Sequence, residues 1–154
     1  MYGSQRLGIE HLHELLKDND LPRDRTAGLK EYELTNHLGN VLATISDIRQ
    51  VDASNLPFAD VLTAQDYYPF GMQMPERQYA ASSNGYRFSF NGKEKDDEVK
   101  GSGNEIDMGA RFLDPRLGRT SSVDPKAHEY PGISPYAFAL NTQITAIDAD
   151  GKPS

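Results

Sequence analysis

The stretch "RFLDPRLGRTSSVDP", Arg111 to Pro125, decides how the rest of the chain is read. It carries two Asp-Pro pairs, Asp114-Pro115 and Asp124-Pro125, with Leu117, Gly118 and Arg119 between them. Aspartate caps the backbone that follows it and proline fixes φ near −65°, so each pair opens a turn. Turns this close, with apolar residues on either side, bound a short strand. A third acidic turn, "IDADG" from Ile147 to Gly151, follows downstream. The pattern predicts a mainly β protein of short strands and frequent turns.

Composition agrees with that reading. Thirteen Gly and nine Pro among 154 residues suit many turns better than long helices. The hydrophobic fraction is 37% and the mean hydropathy −0.65, low for a chain that must complete its own core. Neighbouring repeats or a partner chain are therefore expected to cover part of it. The net charge of −7 argues against broad nucleic-acid binding, which rests on neutralising phosphates with Lys and Arg. No apolar run approaches the ~18 residues of a spanning helix. Cysteine is absent, which removes disulfide and thiolate chemistry. The opening "MYGSQRLGIE" has neither the basic nor the apolar region of a signal peptide.

Upstream of the opening stretch the strand signals are local and frequent. "YELTNHLGNVLATISD", Tyr32 to Asp47, reads as a hairpin turning through Asn36, Gly39 and Asn40. Along its second arm, alternation places Val41, Ala43 and Ile45 on one face and Leu42, Thr44 and Ser46 on the other. "VLTAQDYYPFGMQM" runs into Tyr67, Tyr68 and Phe70 and is broken by Pro69 and Gly71. In "YRFSFNGKEKDDEVKG", Tyr86, Phe88 and Phe90 alternate with Arg87 and Ser89, predicting a half-buried strand. It ends at Asn91-Gly92, the strongest short turn signal in the chain. "EIDMGARFLDP" predicts one more strand, and "SPYAFALNTQITAIDADG" a strand pair or a turn-rich plug. Helix is expected in at most one or two short pieces, one of them near Leu12 to Leu16 in "EHLHELLKD".

Taken in order, "HLGNVLATISD", "DYYPFGM", "YRFSFNGKEKDDEVKGSGNEIDMGARFLDPRLGRTSSVDP" and "YPGISPYAFALNTQITAIDADG" resemble the Rhs repeat-associated core of Rhs/YD-repeat proteins. The "NGKEKDDEVKG" wording is similar to the version of that core found in Bacteroidetes. The resemblance covers residues 31–151, leaving residues 1–30 as a lead-in and 152–154 as a tail. It implies the terminal part of a β-hairpin shell that encloses a C-terminal toxin, closed by a turn-rich plug. An aspartyl self-cleavage reaction that severs the toxin is also implied. The implied partners are an upstream YD-repeat shell or a partner protein, and a C-terminal toxin. The implied location is secreted or at the cell surface, as part of a larger polypeptide or assembly. An adaptor subunit of such an assembly stays open as a further reading. Three positions depart from the family pattern: Thr120 replaces a large aromatic, Ala149 a proline and Lys152 a leucine.

The family pattern points to Asp124 and Asp148 as the catalytic pair, with Asp150 as a substitute. Two carboxylates brought close can share one proton, so that one acts as base and the other as acid. Asp114 is assigned to turn capping or an arginine contact instead. Arg111, Arg116 and Arg119 are read as structural, because guanidinium forks tie adjacent turns through carboxylates or carbonyls. No cofactor is called for. His11 and His13 would diverge on a helix and lack partner ligands, and "DADGKPS" lacks the distal Glu of a calcium loop. The aromatics Tyr67, Tyr68, Phe70, Tyr86, Phe88 and Phe90 are expected in the core.

Overall fold

The computed structural model describes residues 8–10, 27–82, 85–148 and 151. The expected helix near Leu12 to Leu16, the His11/His13 pair, Ala149, Asp150 and Lys152 lie outside the described residues. Within them the chain is mainly β, with two antiparallel sheets and only single turns of 3-10 helix.

The first sheet is a meander of β1 (Gly8–Glu10), β2 (Lys30–Thr35), β3 (Val41–Val51), β4 (Pro57–Tyr67) and β5 (Gln73–Ala80), paired in chain order. The connections after β2 use the turn chemistry their residues encode. Between β2 and β3, Asn36 Oδ1 accepts from the amides of Leu38 and Asn40 at 3.0 Å each, and Gly39 takes φ +75°. Between β4 and β5 the Tyr68 amide bonds the Met72 carbonyl at 2.8 Å around Pro69 and Gly71. Pro57 opens β4, where a missing N–H costs the ladder least.

Simple alternation does not hold along β3. Val41 and Thr44 are both fully buried, though they stand three apart. The register explains this: Leu34 faces Ala43 while Thr35 faces Val41, so Leu42 is an extra residue and the strand is bulged. At the bulge the Val41 amide donates to the Ser89 carbonyl at 3.1 Å, and its carbonyl accepts from Gln65 Nε2 and Tyr67 Oη at 3.0 Å each. Burial pushes the Tyr67 phenol above its ordinary pKa.

The second sheet is small: β6 (Glu94–Lys95), β7 (Ile106–Asp107), β8 (Phe112–Asp114) and β9 (Arg119–Thr120), again in chain order. The Asn91-Gly92 turn forms as expected, with φ +51° and +64°, the pair of positive angles a type I′ hairpin needs. The residues before it are less regular than a strand. Only a Phe88–Glu94 bridge pairs them, and Ser89 is buried along with Tyr86 and Phe90, while Phe88 is half-exposed. The predicted single strand in "EIDMGARFLDP" is two, β7 and β8, folded at Gly109.

The core lies under this second sheet. Phe90, Ile106, Met108, Leu113, Phe138 and Ala139 form one buried cluster, and Tyr67 and Phe70 pack against it from the first sheet. The Phe90 ring stands 6.0 Å from Tyr67 and 6.1 Å from Phe138 in tilted arrangements. Phe70 lies on Gly118 so closely that a Cβ there would come within 2.9 Å of the ring, which joins the first sheet to the opening stretch. Tyr68 is exposed. The C-terminal stretch is turn-rich and supplies no strand pair among the described residues. Its Ala139, Leu140 and Asn141 all take positive φ, 45°, 50° and 62°.

Candidate functional site

Both Asp-Pro pairs make the expected turns. At the first, the Leu117 and Gly118 amides bond the Asp114 carbonyl at 3.2 and 2.9 Å, closing the β8–β9 hairpin. The Asp114 carboxylate takes Arg116 through Nη2 at 2.8 Å and Nε at 3.1 Å. That fork holds the Asp114 carboxyl below the usual carboxylate range. Asp114 thus caps its own turn and binds Arg116. At the second, Asp124 Oδ1 accepts the Lys126 amide at 2.7 Å, and the Asp124 amide donates to the Pro135 carbonyl at 2.8 Å. These bonds aim the other carboxylate oxygen of Asp124 inward.

What it meets there is Arg111, whose side chain is wholly buried. Arg111 Nη1 stands 3.0 Å from Asp124 Oδ2, and Nη2 stands 3.7 Å from Asp148 Oδ2. Nε donates to the Gly151 carbonyl at 2.6 Å. The Thr120 hydroxyl and the Ala137 carbonyl, both 3.4 Å from Nη1, complete the ring of acceptors. One guanidinium therefore gathers the second Asp-Pro turn, the third acidic turn and the segment at Ala137, just before Phe138. Asp124 and Asp148 are 6% and 2% exposed, which puts the whole cluster out of bulk water.

The two aspartates named from the sequence meet at one cation. The positive charge between them attracts both and offsets part of their mutual repulsion. Gly151 seats against the turn that carries Arg111: a Cβ there would lie 2.9 Å from the Ala110 amide nitrogen and 3.1 Å from that of Arg111.

The three arginines read as one structural set are not alike. Arg111 is the buried hub, Arg116 pairs only with Asp114, and Arg119 is exposed, so it does not pin the turn array. Arg119 precedes the buried Thr120 on β9, and alternation along the strand turns it outward while Thr120 turns in. Thr120 is the site residue the sequence did not single out as functional. The only signal was its departure from a family aromatic. Among the described residues no group of three His, Asp or Glu is placed to hold a metal ion. No helix among them is long and apolar enough to cross a membrane.

Comparison with known proteins starts from this geometry. No family-level sequence profile matches the chain. Salivary gland surface protein 1 of Aedes aegypti is 33% identical over 93 residues, which is 60% of this chain and 2% of that protein. Among solved structures, the TcdB2-TccC3-Cdc42 crystal structure superposes with a TM-score of 0.61 at 21% identity, covering 88% of this chain. TcdB2-TccC3 without its hypervariable C-terminal region gives 0.59 at 22% identity over 88%. The Tc holotoxin pore of Photorhabdus luminescens, with a point mutation in TccC3, gives 0.58 at 21% over 81%. The chain spans only 5–6% of these structures' chains. At these identities what is shared is the fold, that of a small segment within very large toxin-complex chains.

Proposed function

We propose that this chain is the terminal core of an Rhs-type β-shell, a structural module that encloses or delivers a C-terminal toxin. The observation that carries the reading is the fold shared along most of the chain with a segment of TcdB2-TccC3 chains. The family motifs quoted above support it, and so does an exposed first sheet. Tyr32, Leu34, Val51, Leu56, Phe58 and Tyr79 are all more than a third exposed on its strands and turn. Apolar surface of that extent, next to an outer edge of β5 that pairs with no strand among the described residues, suits continuation by further strands or a partner chain. The test is the native context: an epitope inserted in the 97–103 loop recovers the chain from its source, and the mass of what carries it is measured. A large β-rich polypeptide or complex is expected. A lone chain with sharp, concentration-independent thermal unfolding overturns the shell reading.

A second reading, single-turnover self-cleavage, is favoured by the Arg111 cluster. The Gly151 carbonyl that receives Arg111 Nε is polarised as an acyl carbon under attack requires. In this scheme Asp124 or Asp148 takes a proton from water as the water oxygen adds to the Gly151 carbonyl carbon. The same carboxyl, now protonated, gives that proton to the Lys152 nitrogen as the C–N bond breaks, while the other stays paired with Arg111. Arg111 stabilises the oxyanion between these steps. Ala149 and Lys152 depart from the family wording at the cut, so cleavage is expected to be slow. Intact mass of the chain joined to a downstream reporter domain measures it. A cut after Gly151 that is lost in Asp124→Asn and Asp148→Asn, and quickened by Ala149→Pro with Lys152→Leu, is the expected result. A fusion that stays whole with the family residues restored leaves only the scaffold.

A further inference from the structure

Away from the Arg111 cluster, a cavity of about 180 Å³ opens between β4, β5 and the hairpin that leads into β6. Its wall includes Thr63, Gln65, Gln73, Gln78, Tyr86 and Lys95. The polar groups on its floor are already joined to one another. Gln73 Nε2 donates to Gln65 Oε1 at 2.7 Å, Gln65 Nε2 to the Val41 carbonyl at 3.0 Å, and the Thr63 and Thr44 hydroxyls meet at 2.8 Å. These bonds fix the floor.

Lys95 is half-buried on this wall, and its ammonium has no hydrogen bond or ion pair among the described residues. The carboxylates on the flanking elements are committed elsewhere. Glu94 pairs with Arg87 and Glu105 with Lys100. Glu33 accepts the Tyr86 hydroxyl, and Asp96 the Glu98 amide. Asp97 is the acidic group whose charge acts on Lys95, yet its oxygens accept from the Gly103 amide at 2.7 Å and the Ser102 hydroxyl at 3.4 Å. Desolvation accordingly holds the Lys95 amine below the ordinary lysine pKa. A half-buried cation with no carboxylate in direct contact is stabilised by a ligand that supplies one.

We propose that this cavity is a carboxylate-binding site, in which Lys95 Nζ and the Gln78 side-chain amide hold an acidic group supplied from outside the chain. Gln78 faces the opening from edge strand β5, and its donors are unspent among the described residues. The acid comes either from an Asp or Glu of an adjoining polypeptide or from a free small carboxylate. The site stands independently of the shell reading, since it rests on Lys95 and not on the family resemblance.

The test is lysine footprinting of the full chain by an amine-acylating reagent, read by mass spectrometry, with Lys126 as internal reference. Two probes are used at matched ionic strength in chloride: sodium acetate, and the peptide acetyl-Ala-Glu-Ala-amide. Saturable, selective protection of Lys95 is expected, about tenfold or more, from the strength of a charge-assisted hydrogen bond. Protection by acetate identifies a small carboxylate as sufficient, and protection by the peptide alone identifies a polypeptide side chain. Gln78→Ala, a surface change that leaves the fold intact, should weaken it. Equal protection of Lys126, no protection by either probe, or undiminished protection in Gln78→Ala overturns the proposal.

Discussion

Replacing Arg111 with Met would test the hub directly. The substitution keeps an apolar stem of similar length in a site with no solvent access and deletes the cation that faces Asp124, Asp148 and the Gly151 carbonyl. Removing one partner of a buried ion pair usually costs about 3–5 kcal/mol, because the charge left behind is neither solvated nor matched. Two carboxylates are left behind here, so the upper part of that range applies. With a urea slope of about 2 kcal/mol per molar, the unfolding midpoint should fall by about 2 M. Against a typical total stability of about 5–15 kcal/mol, that leaves the chain marginal. Arg111→Lys should recover little, since one ammonium cannot reach both aspartates and the Gly151 carbonyl at once. The defect also has a sign in pH. In the Met variant the orphaned carboxyls bind protons more tightly folded than unfolded, so the penalty is full at neutral pH and fades as pH falls and they protonate. Urea titrations of wild type and variant between pH 4 and pH 8, about the usual carboxylate window and above it, measure both effects. A Met variant within about 1 kcal/mol of wild type at neutral pH would refute the hub, because surface changes fall in that range.

Three other perturbations each test a single contact or turn. Gly151→Ala forces a methyl to 2.9 Å from the Ala110 nitrogen at φ +77°, so a loss of about 1–3 kcal/mol is expected, with faster proteolysis of the C-terminal turn; unchanged proteolysis refutes the close seat. The depressed Asp114 carboxyl contributes stability that is present above its unfolded pKa and lost as pH falls through its lower folded value. Asp114→Asn should remove that part of the acid loss, about 1 kcal/mol for a half-exposed arginine partner, and an unaltered acid profile counts against it. Gly92→Val, at φ +64° in the type I′ turn, should cost at least about 1 kcal/mol by the same urea assay, and a neutral result means the turn has another geometry.

Local chemistry was legible in the sequence and convergence was not. Asn36 to Asn40, Asn91-Gly92 and the two Asp-Pro pairs form their turns because the needed side chain or φ is written within four residues. The Val41–Thr44 pattern was missed because a bulge is fixed by the partner strand, where Thr35 faces Val41 and Leu34 faces Ala43. Phe88 was over-assigned to the core because alternation assumes a flat strand, and a single bridge does not make one. The meeting of Asp124 and Asp148 came from family resemblance. Nothing in the spacing says that Arg111 stands between them, since that depends on how the C-terminal turns fold back. Arg119 shows the converse, a residue of the right type whose strand position turns it outward.

The placement of the core has a consequence for how order is distributed. The longest strands, β3 and β4, run out to a turn at Asp52–Leu56 where nearly every side chain is exposed on both faces. The irregular turns around Phe90, Met108 and Phe138 enclose the cluster that excludes water. Amide exchange should therefore run against the appearance of the fold. The extended ladder between Ile48 and Asp60 should trade its protons early, and the loops that look least regular should hold theirs longest. Rigidity in this chain belongs to the turns, and the regular strands are its compliant arm, free to adjust to whatever surface they meet.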